Sequence, residues 1–309
     1  MPPVRLALIG AGRMGSTHAR ALADRPDGVE LVAVVEPSDD AARRSGIAAR
    51  YGGLDELLAA GGVDGAIVAA PTRLHALLVT QLLEAGLPVL CEKPCGRRSD
   101  ETRALARRAV EARVPLHIGY WRRFVPALRE LQAELAAGSF GALELVACAQ
   151  WDESPPPAAF RDPASSGGIV VDMGVHELDQ LRWLTGREPE LFAGLASRAE
   201  VDGDPDGVAF ALRLGGGGLA TVSLLRRHPP GDLCRVEVVG SRKVTRLDFL
   251  APAAGEQAFL AALRAQAADF AAAIAGQPSR GASPADAVRA LELAEQTVAA
   301  LAPQPSTTA

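Results

Sequence analysis

The run Leu6-Ala7-Leu8-Ile9, followed at once by Gly10-Ala11-Gly12-Arg13-Met14-Gly15, restricts this chain more than any other feature. A short apolar strand that ends in three glycines at this spacing, then passes into a helical pattern through Ala19, Leu22 and Ala23, is a strand-turn-helix unit. In a chain rich in alanine and glycine the spacing alone is weak. Its context strengthens it. A second apolar run, Leu31-Val32-Ala33-Val34-Val35, closes on Glu36, 21 residues after Gly15, where a dinucleotide site carries its acid. The glycines let the backbone turn tightly and approach a pyrophosphate, which the helix N-terminus attracts through free amide groups and its dipole. Glu36 would accept hydrogen bonds from the adenosine ribose hydroxyls and repel a 2′-phosphate. NAD is therefore expected over NADP, although Arg13, Arg43 and Arg44 could soften that preference.

The alternation continues. Residues 66–69 read as a strand, the helix around Leu77, Leu78, Leu82 and Leu83 is closed by Gly86, and Pro88-Val89-Leu90 reads as the next strand. A further helix starts near the N-cap candidate Ser99, with Asp100 and Glu101 in its first turn, and Leu116-His117-Ile118 follows as a strand. This is an α/β pattern, predicting an N-terminal doubly wound parallel sheet of the Rossmann type. From about Gly119 the texture changes. Residues 143–149, 191–197, 208–214, 219–225 and 236–239 suggest strands, with a hairpin at Gly215 to Gly218. They predict a C-terminal α+β domain with an open, mostly antiparallel sheet, one face of which helices or another subunit must cover. Helical patterns at 257–275 and 284–301 are expected to pack back on the first domain. A length of 309 residues suits two domains, placed at 1–119 and 120–309.

Composition excludes several classes. A net charge of −5 without like-charge blocks argues against nucleic-acid or anionic-membrane partners. No apolar stretch approaches the ~20 residues of a membrane-spanning helix, and Met1 to Arg5 leads straight to a strand-like run, so a cytoplasmic protein is expected. Cys91, Cys95, Cys148 and Cys234 lack the pairing of zinc or disulfide frameworks, so reduced thiols and no metal are expected. Only two of the 32 basic residues are lysines, and Lys93 stands in Glu92-Lys93-Pro94 directly after an apolar run. A lysine in an arginine-writing chain suggests a compact, tunable ammonium, though two lysines must fall somewhere.

A second constellation is Asp172, His176 and Asp179, which on a helix would share one face while Val171, Val175, Leu178 and Leu181 occupy another. A carboxylate and an imidazole one turn apart can transfer protons. A solvated polar face with a structural Asp-His contact is the alternative, and a metal reading lacks supporting ligands.

Taken together these residues resemble the glucose-fructose oxidoreductase / inositol dehydrogenase-like (Gfo/Idh/MocA) family. The carriers are the Gly10-x-Gly12-x-x-Gly15 turn, Pro71-Thr72-x-x-His75, Glu92-Lys93-Pro94, Arg122-Arg123-Phe124, Gly167-Gly168 and Asp172-x-x-x-His176-x-x-Asp179. The segments around Asp172 and Trp151 look most like the inositol 2-dehydrogenase branch. The resemblance implies hydride transfer between a secondary alcohol of a cyclic polyol or sugar and nicotinamide, with Lys93, Asp172 and His176 as the catalytic set drawn from both domains. It implies His176 as general base, Asp172 as its orienting partner and a substrate contact, and Lys93 as donor to the reacting oxygen. Arg122 and Asp152 would grip other hydroxyls. Gly10, Gly12, Arg13, Met14, Gly15, Glu36, Pro71, Thr72, His75, Glu92 and Lys93 would border the cofactor, with His75 near the nicotinamide, and a homodimer or homotetramer would form through the open sheet face. Departures are Ala70-Pro71-Thr72 for the family's Thr-Pro-Asn, Arg227-His228 where inositol enzymes tend to carry tyrosine, a short segment at 244–256, and a polar tail after Pro303 in place of a last strand. Two other readings stay open, a ketosugar reductase of a biosynthetic pathway and a non-catalytic dinucleotide or sugar sensor.

Overall fold

The computed structural model describes residues 2–23, 28–157, 161–197, 204–251 and 255–301. The chain forms two compact units, Met1–Arg129 with Ala254–Val288, and Glu130–Ala253 with Arg289–Ala309.

The first unit alternates strands and helices: β1 (Val4–Ile9), α1 (Arg13–Leu22), β2 (Val29–Val35), α2 (Asp39–Arg44), β3 (Ala49–Tyr51), α3 (Leu54–Ala60), β4 (Gly65–Val68), α4 (Thr72–Glu84), β5 (Val89–Cys91), α5 (Ser99–Ala112) and β6 (Leu116–Ile118). The strands form one parallel sheet in the order β3-β2-β1-β4-β5-β6. Order reverses between β1 and β4, so the crevice outside their C-terminal ends is where a doubly wound sheet binds its ligand. Leu6 to Ile9 and all of β4 and β5 are buried, as strands covered on both faces must be. Leu8, Val34, Ile67 and Leu90 share a core with Leu22. The long helix α9 (Gly255–Ile274) adds Ala267, Phe270 and Ala271 to that core, and Arg264 Nε donates to the Ala21 carbonyl at 3.0 Å.

The second unit holds β7 (Leu143–Trp151), the short α7 (Pro163–Ser166), α8 (Val175–Thr185), β8 (Pro189–Ala196), β9 (Gly207–Leu214), β10 (Leu219–Leu225), β11 (Leu233–Gly240) and β12 (Val244–Leu250). Its sheet order is β12-β11-β7-β10-β9-β8; β7 and β10 run parallel and every other pair is antiparallel. Glycines 215–218 close the β9–β10 hairpin as the sequence suggests. Along β9 and β10, Val208, Phe210, Leu212, Ala220, Val222 and Leu224 point to the buried face, while Ala209, Arg213, Leu219 and Thr221 face out. α6 (Pro126–Ala136) and α10 (Pro284–Leu301) are the remaining α-helices among the described residues.

Several expectations shift. Ser99 is not the N-cap of α5; Arg98 holds that place in extended conformation with no side-chain cap, and the Glu101 carboxylate reaches back to accept the Arg97 amide at 2.8 Å. Residues 244–250 form an edge strand whose Asp248 pairs across the ladder with Arg235. The polar tail, and residues 252–254 of the short segment, lie outside the described residues.

Phe270 is fully buried and meets the His117 ring edge-on at 5.4 Å. Phe270→Ala should therefore destabilise the first unit by about 3–5 kcal/mol, read as a lowered denaturant midpoint in its unfolding transition.

Candidate active site

In a parallel sheet all strand C-termini share one edge, and the sequence-marked residues of the first unit gather there. Gly10 leaves β1, Glu36 leaves β2, Pro71 and Thr72 open α4 after β4, and Glu92 and Lys93 leave β5. The Gly-rich turn needs its glycines for contact reasons. A Cβ on Gly15 would stand 2.0 Å from the Gly10 carbonyl oxygen, and one on Gly10, at φ +93°, 2.8 Å from the Ala70 backbone. Gly12 differs: a Cβ there meets nothing within 4 Å. It is also the N-cap of α1, with no side-chain cap and no acid in the first turn, so no side chain competes for the opening amides. That arrangement fits a pyrophosphate. Arg13, exposed, and Met14, half-buried, start the helix beside it.

Glu36 is held toward this turn by two backbone amides, Ala11 N to Oε2 at 2.8 Å and Ser38 N to Oε1 at 3.0 Å. Each oxygen keeps further acceptor capacity for ribose hydroxyls, and the fixed carboxylate opposes a 2′-phosphate. The turn, the open Gly12 and the poised carboxylate fit NAD.

Lys93 is half-buried, joined to Pro94 by a cis peptide bond. The residues around it are more enclosed than the sequence suggests. His75, expected beside the nicotinamide, is 1% exposed and both ring nitrogens face carbonyls, Pro94 at 2.8 Å and Ala70 at 2.7 Å. It stands between the β4 turn and the Lys93 loop, and burial pulls its pKa down, which favours a neutral ring that donates to one of the two carbonyls. Glu92, expected at the cofactor, is buried and accepts from His18 Nε2 at 2.7 Å. Cys91 and Cys95 are free and buried, and burial together with Cys95 raises the Cys91 thiol well above its usual range. Arg122 lies in a 3-10 turn (Trp121–Phe124), 2% exposed, its guanidinium 5.9 Å from the Trp121 ring centre.

In the second unit Asp172 does not stand on a regular α-helix. It sits in a π-helical turn (Val170–Gly174), and α8 begins only at Val175. The wider turn breaks the assumed i, i+4, i+7 frame. Nor is the polar face solvated: Asp172 is half-buried, while His176 and Asp179 are buried together with Glu177 and Gln180. Gly174 abuts Leu224 in β10, a Cβ there falling 3.2 Å from the leucine methyl. At the neighbouring end of β10 the Leu225 carbonyl accepts the Asp152 amide at 2.8 Å, so Asp152 and the Asp172 turn meet the same strand end. Two residues without a sequence signal hold that turn. Asp204 accepts the Ile169 amide at 2.9 Å and pairs with fully buried Arg226. Burial, with the Asp172 charge adding, raises the Asp204 pKa against the pull of Arg226. No cluster of metal-ligating side chains occurs among the described residues.

Residues 4–120 match the oxidoreductase family with NAD-binding Rossmann fold (GFO_IDH_MocA), and residues 128–246 match the GFO/IDH/MocA C-terminal domain. The chain belongs to the Gfo/Idh/MocA family. Among its members, the rhizopine catabolism protein MocA of Rhizobium meliloti is 46% identical over 96% of this chain and 94% of its own. An inositol 2-dehydrogenase of Rhizobium meliloti strain 1021 is 35% identical over 77% of this chain and 74% of its own. Among solved structures, a myo-inositol dehydrogenase of Corynebacterium glutamicum superposes with a TM-score of 0.85 at 29% identity, covering 97% of this chain and 96% of that one. The family's NAD-binding Rossmann match spans the Gly-rich turn and Glu36.

Gly15→Ala should abolish NADH binding in a fluorescence titration, because the added methyl overlaps Gly10. Glu36→Ala should weaken NAD by about 10-fold or more, the loss of charge-assisted hydrogen bonds worth about 1.5–3 kcal/mol, and narrow the preference over NADP.

Proposed function

We propose that this chain is an NAD-dependent dehydrogenase that oxidises a secondary alcohol of an inositol-like cyclic polyol or sugar. The observation that carries the reading is that Lys93 leaves β5 at the same sheet edge as the Gly10–Gly15 turn and Glu36. NAD, held by that turn and Glu36, supplies the hydride acceptor when bound. The chain's own residues handle the proton and the oxygen. His176 takes the hydroxyl proton, Asp172 orients His176 and contacts the substrate, and Lys93 donates to the oxygen as it becomes a carbonyl. Asp152 and Arg122 recognise further hydroxyls. Pro71 and Thr72 line the cofactor edge, and His75 and Glu92 shape the loop behind it.

The substrate class rests on similarity to MocA and to inositol dehydrogenases across most of the chain. Four buried cysteines outside any disulfide fit a reducing cytoplasm, and no helix among the described residues is long and apolar enough to cross a membrane. The outward sheet face carries Phe192, Leu195, Leu219 and Val244, each more than half exposed, which supports a homodimer or homotetramer through that face.

With a cyclitol and sugar panel, the protein should produce NADH from at least one inositol. Lys93→Ala and His176→Ala should each lower kcat by about 10²–10⁴-fold while NADH affinity is kept; full activity in both would overturn the assignment. Lys93→Arg should also lose most activity, because a planar guanidinium does not replace a compact ammonium. Leu219→Glu should shift the protein to smaller assemblies in light scattering, and an unchanged mass would exclude that face.

A further inference from the structure

The Glu92 carboxylate is shared between two segments that the proposed chemistry uses. His18 is fully buried on α1, six residues past Gly12 and thus about 9 Å along the helix axis. Facing a carboxylate oxygen, its Nε2 can only donate, and it does so to Glu92 Oε1 at 2.7 Å; Nδ1 has no partner. The other oxygen, Oε2, accepts the Lys93 amide at 3.3 Å. The carboxylate has little room to rotate away. It is 5% exposed, and it lies against Gly119, where a Cβ would stand 2.9 Å from Oε2. Gly119 is held in turn by its amide on the Cys91 carbonyl at 2.7 Å. On the far side of Lys93 the Pro94 carbonyl faces His75 Nδ1 at 2.8 Å.

We infer that His18 is a positioning residue for Lys93: by donating to Glu92 it fixes the carboxylate that receives the Lys93 amide, and so ties the amine-bearing loop to the helix whose N-terminus takes the cofactor. This rests on the reading of Lys93 given above. A buried carboxylate deprived of one donor reorganises to regain it, and the lysine backbone bonded to that carboxylate moves with it. The cofactor cradle, built from Gly10, Gly12 and Gly15, does not include His18. The consequence is a turnover defect with cofactor affinity intact, whereas a purely structural histidine would lower both in step with the folded fraction.

The test compares His18→Asn, His18→Gln, Glu92→Gln and Lys93→Ala by steady-state kinetics on the polyol that turns over fastest, with NADH affinity measured by fluorescence. Asparagine is too short to reach Glu92, whereas the glutamine amide can donate from near the Nε2 position. His18→Asn is expected to lower kcat about 10–100-fold with NADH affinity within about twofold, and His18→Gln to recover kcat to within about threefold of the parent. The His18→Asn, Glu92→Gln double variant should be no slower than the slower single. Parent-like kcat in His18→Asn, equal defects in the Asn and Gln variants, or multiplicative losses in the double variant would overturn the inference. Should His18→Asn lose NADH binding, Glu92→Gln decides: reduced kcat at retained affinity supports it, and unchanged kcat overturns it. A fully active Lys93→Ala would defeat the role of Lys93 itself, whereas an inactive one beside a parent-like His18→Asn would defeat only the positioning.

Discussion

The contact between Gly15 and the Gly10 carbonyl is the constraint on which the C-terminal edge of the parallel sheet depends. With 2.0 Å available to a Cβ, no other residue lets α1 begin so close over the end of β1. From that approach follow the free amides of the α1 first turn, the open space beside Gly12, and the reach of Glu36 from β2 to the Ala11 amide. The same approach sets the place of α1 on the sheet, and so the place of His18 against Glu92.

Buried or tethered charge recurs around the marked residues of each unit. In the first, Glu36 and Glu92 are each held by backbone amides, and Glu92 by His18 as well. In the second, Asp204 and fully buried Arg226 hold the Ile169 amide at the entry to the π-helical turn. Removing Asp204 or Arg226 leaves the other buried charge uncompensated, at a cost of about 3–5 kcal/mol. These pairs fix loops that would otherwise have only short-range support.

The legible parts of the sequence were those with local signals. β1, β2, β4 and β5 carry short runs of aliphatic residues near glycine or proline, and the β9–β10 hairpin is punctuated by four glycines. β3, with three residues at the sheet edge, carries no such pattern, and in β12 the alternation is short, Arg246 and Asp248 facing out between Leu247 and Phe249. Asp172 was found by its neighbours, but its π-helical turn was not, because the segment reads as continuous helix. His18 and Glu92 lie 74 residues apart and Asp204 and Arg226 22 apart, separations that only the fold closes. The enclosure of His75 by two carbonyls was equally hidden, since a polar residue in the first turn of a helix reads as exposed.

The central claim is direct hydride transfer from a ring carbinol carbon to NAD. Incubation with inositol deuterated at its ring carbons, followed by mass spectrometry of the NADH formed, tests it most directly. The account predicts NADH one mass unit heavier than that from unlabelled inositol, at a rate lowered by the isotope; NADH without the label, or none with any cyclitol or sugar, would contradict it.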